Sequence, residues 1–530
     1  MANFFKKEHS LPESPALQDK KKITDNLDQT ISEFQDVFQK NMDYSTRKFH
    51  LFGDTTAVAI YISSLVDQEK IDRDIIKLLQ EKERPTTTTE NRLFTDMLLE
   101  DILYHCSGEA ESELSSLFTG LLRGKTVILF EKSDQALLLD TYKPEKRGIA
   151  QPETERVVRG PRDGFIEQIV TNVSLLRYRL PIPEFRVEQF EVGERTKTRV
   201  GVCYIDGIVN PDLLNEVKKR IDKIKIDRIL DAGYIEQLIQ DNPRSPFPQV
   251  QNTERPDKAV GNLVEGRVVL LIDGSPFALI VPAVFNQFYQ TSEDYNERFM
   301  ITSSVRFIRY VSLIFSLTFS SFYVTVLSYH PELIPAKFVV AASSGRSGVP
   351  FPVFVEVLLM EFAMEILREA TVRMPQQVGG ALSIVGVLVI GQAAVMAGFV
   401  SPITVVIIAL STIGSFVTPS YNAATAFRLL RFPLIILAGT FGLLGLAFGL
   451  MLVINHMLSL RSFGVPYMAP VAPLNLEGIK DSFIRAPFRW MKNRPAQIKP
   501  LDVKRVDPGE RTVPKSNLKG KNGGDTNGQT

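Results

Sequence analysis

The sequence predicts an α/β cytosolic N-terminal region of two related subdomains, followed by an α-helical multi-pass membrane bundle. Up to about Arg309, charged residues recur every few positions, as in soluble globular proteins. Three long stretches without Asp, Glu, Lys or Arg follow, at 310–331, 374–427 and 432–460. Each is long enough to supply the roughly 20 apolar residues with which a helix crosses a bilayer. The two related subdomains are indicated by a pattern of strands and helices that occurs twice before residue 300.

The length of 530 residues suggests about three domains, and changes in composition divide the chain further. The C-terminal tail after Leu460 holds thirteen Lys or Arg against six Asp or Glu. The predicted segments are a mobile N-terminal arm at 1–40, a first α/β subdomain at 41–150, a second α/β subdomain at 151–300, a transmembrane helical domain at 301–460, and a basic C-terminal tail at 461–530 that is disordered from about 506.

Composition argues against several classes of function. The net charge is only +1, and we expect no nucleic-acid partner. Two cysteines and five scattered histidines supply neither a disulfide framework nor a metal cluster. No phosphate-binding glycine loop and no nucleophile–base arrangement stands out. We therefore expect no enzyme activity, no cofactor and no metal.

The internal repeat consists of a strand, a helix and a later hairpin. The apolar strand TAVAIYISSL (56–65) corresponds to VGVCYIDGIV (200–209). Aligning Tyr61 with Tyr204, and Gly124 with Gly266, gives offsets of 143 and 142 residues. Each of these glycines opens a predicted hairpin, and Asn210-Pro211 predicts the start of a helix in the second copy. Chance convergence of two ordinary α/β patterns is the alternative.

A charged turn connects the two copies. In ERVVRGPRDGF (155–165) and the residues after it, both signs of charge surround Gly160-Pro161. Such a turn could hold subunits or subdomains together or bind an anion; the alternative is a solvated linker with weak local ion pairs. The candidate contact residues are Glu155, Arg159, Arg162, Asp163 and Glu167.

Four apolar spans are predicted in the second half. They cover 309–327, 381–400, 403–417 and 433–460, with Ser401-Pro402 as the break between the middle two. The N-terminus lacks the apolar core of a secretory signal, so the soluble half is expected in the cytoplasm. Arg306 and Arg309, at the entrance to the first span, favour the same side. Glycines in the last span should let neighbouring helices approach closely.

A charged helix within 349–375 interrupts the apolar pattern. Four of its charges fall within about a third of the helix circumference. Because charge at membrane depth costs about 2.5–3.5 kcal/mol per residue, such groups usually face protein or water. The helix could line a hydrated, cation-attracting path, or it could lie at the interface with its charges paired along the helix. The candidate pore or gating residues are Glu356, Glu361, Glu365, Arg368 and Glu369.

The number of crossings follows from where this helix lies. If the soluble half and the basic tail are both cytoplasmic, the chain must cross the membrane an even number of times. Four spans plus a surface-lying or re-entrant charged helix satisfy that requirement, whereas a fifth crossing would place the tail outside.

Six long strings of unusual sequence stand out along the chain. They are ERVVRGPRDGF (155–165), ILDAGYIEQLI (229–239), SPFPQVQNTERPD (245–257), EGRVVLLIDGSPF (265–277), VPFPVFVEVLLMEFAMEILREA (349–370) and SFGVPYMAPVAP (462–473). In these strings the chain resembles the GerA family, the A-subunits of bacterial spore germinant receptors, over about residues 30–495. Ala232 stands where the family usually has serine.

The resemblance implies a role in spore germination. It implies action in the inner spore membrane with a permease-like B-subunit and a lipoprotein C-subunit, and oligomers that release ions when nutrients such as amino acids, sugars or nucleosides are sensed. It does not carry over the identity of the nutrient. A secondary transporter of the nutrient or of a coupled ion is the alternative, although no paired inverted repeat is detectable in the membrane half.

Overall fold

A computed structural model describes residues 21–52, 55–81, 94–143, 151–372 and 391–505. The first part of the predicted N-terminal arm, the first half of the predicted span at 381–400, and the tail predicted to be disordered from about 506 lie outside the described residues.

The first subdomain contains one five-stranded sheet and the helices that cover it. Its elements are α1 (Leu27–Phe38), β1 (Tyr44–Leu51), β2 (Thr55–Ile62), α2 (Gln68–Lys70, Ile71–Ile76 and Lys77–Glu81, with a π-helical middle), α3 (Phe94–Met97 and Leu98–Ile102), β3 (Gly108–Glu111), α4 (Leu114–Leu122), β4 (Lys125–Phe130) and β5 (Ala136–Asp140).

The second subdomain has elements of the same kinds in the same order. They are α5 (Ile169–Arg179), β6 (Phe185–Val192), β7 (Thr198–Ile205), α6 (Pro211–Asp222), α7 (Ala232–Ile239), β8 (Gln251–Thr253), α8 (Pro256–Val264), β9 (Val268–Ile272) and β10 (Ala278–Val281).

The two sheets share one topology. The strand orders are β1-β2-β4-β5-β3 and β6-β7-β9-β10-β8, and neighbouring strands are antiparallel throughout. Each sheet has an apolar core on both faces, because its strands are buried between two layers of helices. Gly124 and Gly266 occupy the same turn before β4 and β9 with φ of +82° and +96°. The predicted pair of related α/β subdomains is therefore confirmed.

Local sequence determines the start of α6 as predicted. The Asn210 side chain accepts a hydrogen bond from the Asp212 backbone N–H at 2.9 Å, and Pro211 occupies the first turn. Leu213, Val217 and other apolar residues on one face of the helix are buried against the sheet.

A buried ion pair joins the two subdomains. Asp43, just before β1, accepts hydrogen bonds from both Nε and an Nη of Arg177 in α5, at 2.6 and 2.7 Å. Both side chains are almost completely buried. The Met42 N–H also donates to the Val187 carbonyl in β6, at 2.9 Å. This interface fixes the orientation of one subdomain on the other.

The second half is a bundle of helices. Its described helices are α9 (Phe299–Tyr329), α10 (Ala336–Gly345), α11 (Val353–Val372), α12 (Pro402–Phe416) and α13 (Tyr421–Ser459). By length and composition, α9 and α13 are long and apolar enough to cross a membrane, and α12 is a shorter apolar helix. The predicted break before α12 is confirmed, since the Ser401 side chain caps the helix by accepting from the Thr404 N–H.

Helix α13 is a helical hairpin, which differs from the single span predicted over 433–460. Gly442 has φ +60° and ψ −137°, a conformation that breaks the helix. A Cβ atom on Gly445 would lie 2.0 Å from the Leu437 carbonyl oxygen, and one on Gly449 would lie 2.5 Å from Leu434. Residues eight and fifteen positions apart are this close only if the two arms run antiparallel. The two arms approach each other closely at Gly445 and Gly449, in line with the close helix packing predicted for the glycines of this span.

Both ends of the hairpin meet the second subdomain. The Phe247 ring lies 5.2 Å from the Phe427 ring and 6.0 Å from the His456 ring, centroid to centroid. At the tip of the hairpin, between its two arms, the Tyr329 hydroxyl donates to the Gly439 carbonyl at 2.7 Å. Helix α9 therefore spans the bundle from the soluble half to the tip of the hairpin.

After α13 the chain returns to the second subdomain as an ordered segment, residues 461–505, which we name the strap. The Ser462 hydroxyl lies between the two parts, accepting from the Ala283 N–H and donating to the Gln249 carbonyl. Phe463 and Ile498 complete the apolar core beneath α6 and α7. The start and the end of the bundle are thus anchored on one subdomain.

Candidate functional site

The predicted charged helix is α11, and it packs inside the bundle. Phe354 lies against Gly439 near the tip of the hairpin, whereas Glu365 lies 3.8 Å from Arg428 near the start of α13. Helix α11 is therefore antiparallel to the first arm of α13. The structure differs here from the surface-lying or re-entrant helix expected from the sequence, because partners on three other helices satisfy its charges.

Glu361 is at the centre of the buried charges. It is 5% exposed, and one carboxylate oxygen accepts from the Ser320 hydroxyl of α9 at 2.7 Å. The other oxygen lies 3.4 Å from the guanidinium of Arg431 in α13. Arg431 also donates to the Ser411 carbonyl of α12, at 3.0 Å. Four helices thus converge on one buried ion pair.

Glu356 occupies a second buried position, closer to the hairpin tip. Its side chain is fully buried and accepts a hydrogen bond from the Ser401 backbone N–H at the start of α12. The Arg346 guanidinium lies 3.3 Å from the same carboxylate. Beside it, the Tyr323 and Thr404 hydroxyls are hydrogen-bonded at 3.1 Å. The carboxylate therefore ties α11 to the break before α12.

The remaining charges of α11 lie nearer the soluble half. Arg368 donates to Glu365 at 2.5 Å, an i, i+3 pair within the helix, and its guanidinium lies over the Phe416 ring of α12. Glu365 is also near Arg428, and Glu369 is exposed. We name this group the charged seam, comprising Glu356, Glu361, Glu365 and Arg368 of α11 with Arg346, Arg428 and Arg431.

The seam combines features of both predicted alternatives. The Glu365–Arg368 pair is of the local kind expected for an interfacial helix, whereas Glu356 and Glu361 are buried and face other helices. The Arg431 Nε, Thr412 Oγ1 and Ser321 Oγ atoms are buried without a hydrogen-bond partner among the described residues. Buried polar atoms of this kind can be satisfied by water or an ion.

Sequence reasoning missed the arginines of α13. Arg428 and Arg431 separate two of the charge-free stretches, and that position was the available signal, since isolated arginines between apolar runs usually have an acidic partner. Ser320 and Ser411 carried no signal, because serine is common in packed membrane helices.

The charged turn contacts the segment that leads into α9. Arg159 lies 3.5 Å from Glu297, and the Val158 and Arg159 N–H groups donate to Glu293. Gly160, at φ +143°, lies against Asn296. The turn therefore connects the second subdomain with the segment that leads into α9.

The other predicted contact residues are dispersed within the second subdomain. Glu155 is 2.6 Å from Lys258, and Asp163 pairs with Arg179. Arg162 and Glu167 are exposed. The structure thus gives the five residues different partners and does not gather their charges at one point.

The base of α9 is held by a second buried charge cluster. Asp294 accepts from Arg306 at 2.8 Å and from Arg309 at 2.9 Å, and Arg306 also reaches Asp481 of the strap. Although burial opposes ionisation, these two arginines lower the pKa of Asp294 below its usual value. The two arginines that open the first predicted span are therefore neutralised within the protein.

Comparison with known proteins places this architecture in a family. The family profile described as "Bacillus/Clostridium GerA spore germination protein" matches residues 32–497. Spore germination protein KA of Bacillus subtilis (strain 168) is 42% identical over 495 residues, covering 93% of this chain and 90% of the relative. Spore germination protein GerLA of Bacillus cereus is 37% identical and covers 92% of this chain and 98% of the relative.

A solved structure is also similar to the soluble half. The N-terminal domain of the A subunit of the Bacillus megaterium spore germinant receptor GerK3 is 29% identical, with a TM-score of 0.41. The match covers 50% of this chain and 98% of that domain. By the extent of the family match and the identity with its relatives, the chain belongs to the GerA family, the A-subunits of spore germinant receptors.

Proposed function

We propose that this protein is the A-subunit of a nutrient-sensing germinant receptor complex in the inner spore membrane, and that its oligomer forms a nutrient-gated ion channel. The single observation that carries the proposal is the buried charged seam among α9, α11, α12 and α13. Buried charge is costly inside a membrane bundle and generally serves a function there. Family membership supports the receptor role, and the seam supports ion conduction.

In the arrangement described here, the seam is closed to cations. Glu356, Glu361 and Glu365 each have an arginine within 4 Å, so their negative charge is compensated. Conduction requires that α11 and α13 move apart, which would free the carboxylates for a passing cation. Nutrient binding elsewhere in the complex would favour the open state through its higher affinity for that state.

The geometry favours six crossings over four. Helix α9 leaves the soluble half, α11 and α12 return toward it, and the two arms of α13 leave and return. The chain between α11 and α12 includes the predicted span 381–400, which would supply the remaining crossing. An even number keeps the soluble half and the strap on one side, for which we propose the cytoplasm.

The partners proposed are further copies of this chain, a permease-like B-subunit and a lipoprotein C-subunit. Exposed apolar side chains on α9 and α13, such as Phe322, Leu444 and Phe448, support contact with neighbouring subunits or lipid. The charged turn at 155–165 would relay movement between the second subdomain and α9.

Charge neutralisation tests the channel. We expect Glu361→Gln and Glu365→Gln to alter ion release on nutrient addition while the complex still assembles. Because Glu361→Gln alone leaves Arg431 buried and unpaired, the double variant Glu361→Gln/Arg431→Gln is the matched control for folding. Normal ion release from assembled variant complexes would refute the pore role.

A further inference from the structure

Part of the strap forms a surface of unusual composition beside the base of the bundle. Over residues 474–492, which we name the collar, several large apolar side chains are exposed. Ile484 is 59% exposed, Phe488 50% and Trp490 66%. Leu474 and Leu476 are also exposed. A soluble surface rarely leaves so many large apolar groups uncovered within one short segment.

Basic side chains lie among these apolar groups. Lys480, Arg489 and Lys492 are exposed in the same segment, against one exposed carboxylate, Glu477. Glu477 itself accepts hydrogen bonds from Asn493. The exposed side chains of the collar are therefore apolar and basic, a combination that favours contact with anionic lipid headgroups.

The collar lies at the depth of lipid headgroups. With 31 residues, α9 is about 46 Å long at ~1.5 Å per residue, which equals the full bilayer with its headgroup layers. The arms of α13, 421–441 and 443–459, are about 30 and 25 Å long and match the hydrocarbon core alone. The first three turns of α9, at 299–308, thus extend beyond the hydrocarbon and into the headgroup layer.

The collar is attached to this part of α9. The Ser303 hydroxyl donates to the Arg485 carbonyl at 3.1 Å and accepts from the Arg485 N–H at 3.2 Å. About two turns further along the helix, the Phe483 and Tyr310 ring centroids are 4.6 Å apart. These contacts hold the collar between the level of Ser303 and the level of Tyr310.

We propose that the collar is an anionic-lipid binding surface that docks the base of the bundle on phospholipid headgroups. Arg489, Lys480 and Lys492 meet the phosphates, while Trp490, Phe488 and Ile484 insert between the headgroups. The proposal rests on the membrane placement of α9 given above and does not depend on ion conduction.

Trp490 is the only tryptophan of the chain, so fluorescence reports this surface directly. The full chain is reconstituted into phosphatidylcholine vesicles with and without an equal share of phosphatidylglycerol, using phosphatidylcholine brominated near the headgroup as quencher. We expect blue-shifted emission that the brominated lipid strongly quenches, with stronger quenching when phosphatidylglycerol is present. Inorganic phosphate added to the protein in detergent should leave the emission unchanged.

Charge variants test the basic contribution. The double variant Arg489→Gln/Lys492→Gln should lose most of the extra quenching that phosphatidylglycerol causes. The matched control Lys48→Gln/Lys77→Gln removes two exposed lysines of the first subdomain and should behave like the parent chain. Flotation of the vesicles shows separately whether the chain has inserted.

Two results would overturn the proposal in a chain that floats with the vesicles. Emission typical of water, insensitive to brominated lipid, would place the collar in solvent. Emission that is blue-shifted but unaffected by brominated lipid, and equally protected from acrylamide in detergent, would mean that another protein surface covers the collar.

Discussion

At the scale of single residues, two buried ion pairs join different elements of this protein. Asp43 meets Arg177 across the two subdomains, and Glu361 meets Arg431 across the bundle. Removing one member of such a pair leaves an uncompensated buried charge and strongly destabilises the fold. Removing an exposed ion pair changes the stability little. These residues are therefore the sensitive points of the structure.

Loss of the Asp43 carboxylate should destabilise the soluble half. Asp43→Asn leaves Arg177 buried and unpaired, and we expect a loss of about 3–5 kcal/mol. Thermal unfolding of the purified protein, followed by circular dichroism, measures this effect. Asp72→Asn is the control, because it removes an exposed pair with Arg47 and should change stability by about 0–1 kcal/mol. Equal effects of the two variants would contradict the assigned role.

Glu236 in α7 makes stability depend on pH. Burial, together with Asp231, raises the pKa of Glu236 to about 7, above its usual 4.5. The folded protein therefore holds a proton that the unfolded chain releases, so stability falls as pH rises from 4.5 to 7. Glu236→Gln should raise the midpoint of thermal unfolding at pH 8 and have little effect near pH 4.5. If Glu236→Gln raised the midpoint of thermal unfolding equally at both pH values, this explanation would be excluded.

The sequence singled out the charged residues of α11 as candidates but did not indicate what they contact. Their spacing put the charges on one side of a helix, and the cost of charge in lipid implied that they face protein or water. The partner Arg431 is seventy positions away from Glu361, and no local pattern encodes a contact over that distance. Only the packing of four helices brings the two together.

At the scale of elements, the repeat was predictable and the hairpin was not. Alternating strands and capped helices have local signals, and these occur twice in the same order. In α13, by contrast, Gly439, Gly442, Gly445 and Gly449 look alike in sequence, and a continuous apolar run gives no sign of a break. The positive φ of Gly442 arises from packing against Tyr329 and the second arm.

The hairpin turn should not tolerate a side chain. At Gly442 a Cβ would lie 3.0 Å from the Tyr329 ring and would require a backbone conformation that other residues rarely adopt. We expect Gly442→Ala to lower the temperature at which the purified protein aggregates in detergent.

Gly261 in α8 supplies the matched control. A Cβ there meets nothing within 4 Å, so Gly261→Ala should leave stability unchanged or raise it by about 0.4–1 kcal/mol. An unaffected Gly442→Ala variant would argue that the two arms form one continuous helix.

At the scale of the whole molecule, the second subdomain is the common anchor. It contacts the first subdomain, the base of α9, both ends of the α13 hairpin and the strap. A change in its position would therefore reach the charged seam through α9 and α13 together.

The proposed crossing of the membrane by both arms of α13 has a direct consequence for labelling. Cysteine at exposed Thr440, near the hairpin tip, should react with a membrane-impermeant maleimide in sealed cells that express the protein. Cysteine at exposed Lys223, in the soluble half, should react only after permeabilisation. Both native cysteines, Cys106 and Cys203, are buried and give little background. Labelling of both positions from the same side would contradict the proposed topology.

Ion conduction through the charged seam is tested most directly by the current across a planar bilayer containing the assembled receptor, with a potassium chloride gradient. We predict a nutrient-dependent, cation-selective current whose reversal potential shifts toward the potassium equilibrium potential. Glu365→Gln should reduce that shift, because it removes a carboxylate from the path. No nutrient-dependent current from assembled receptors, or an unchanged reversal potential in the variant, would contradict the assignment of the seam as the ion path.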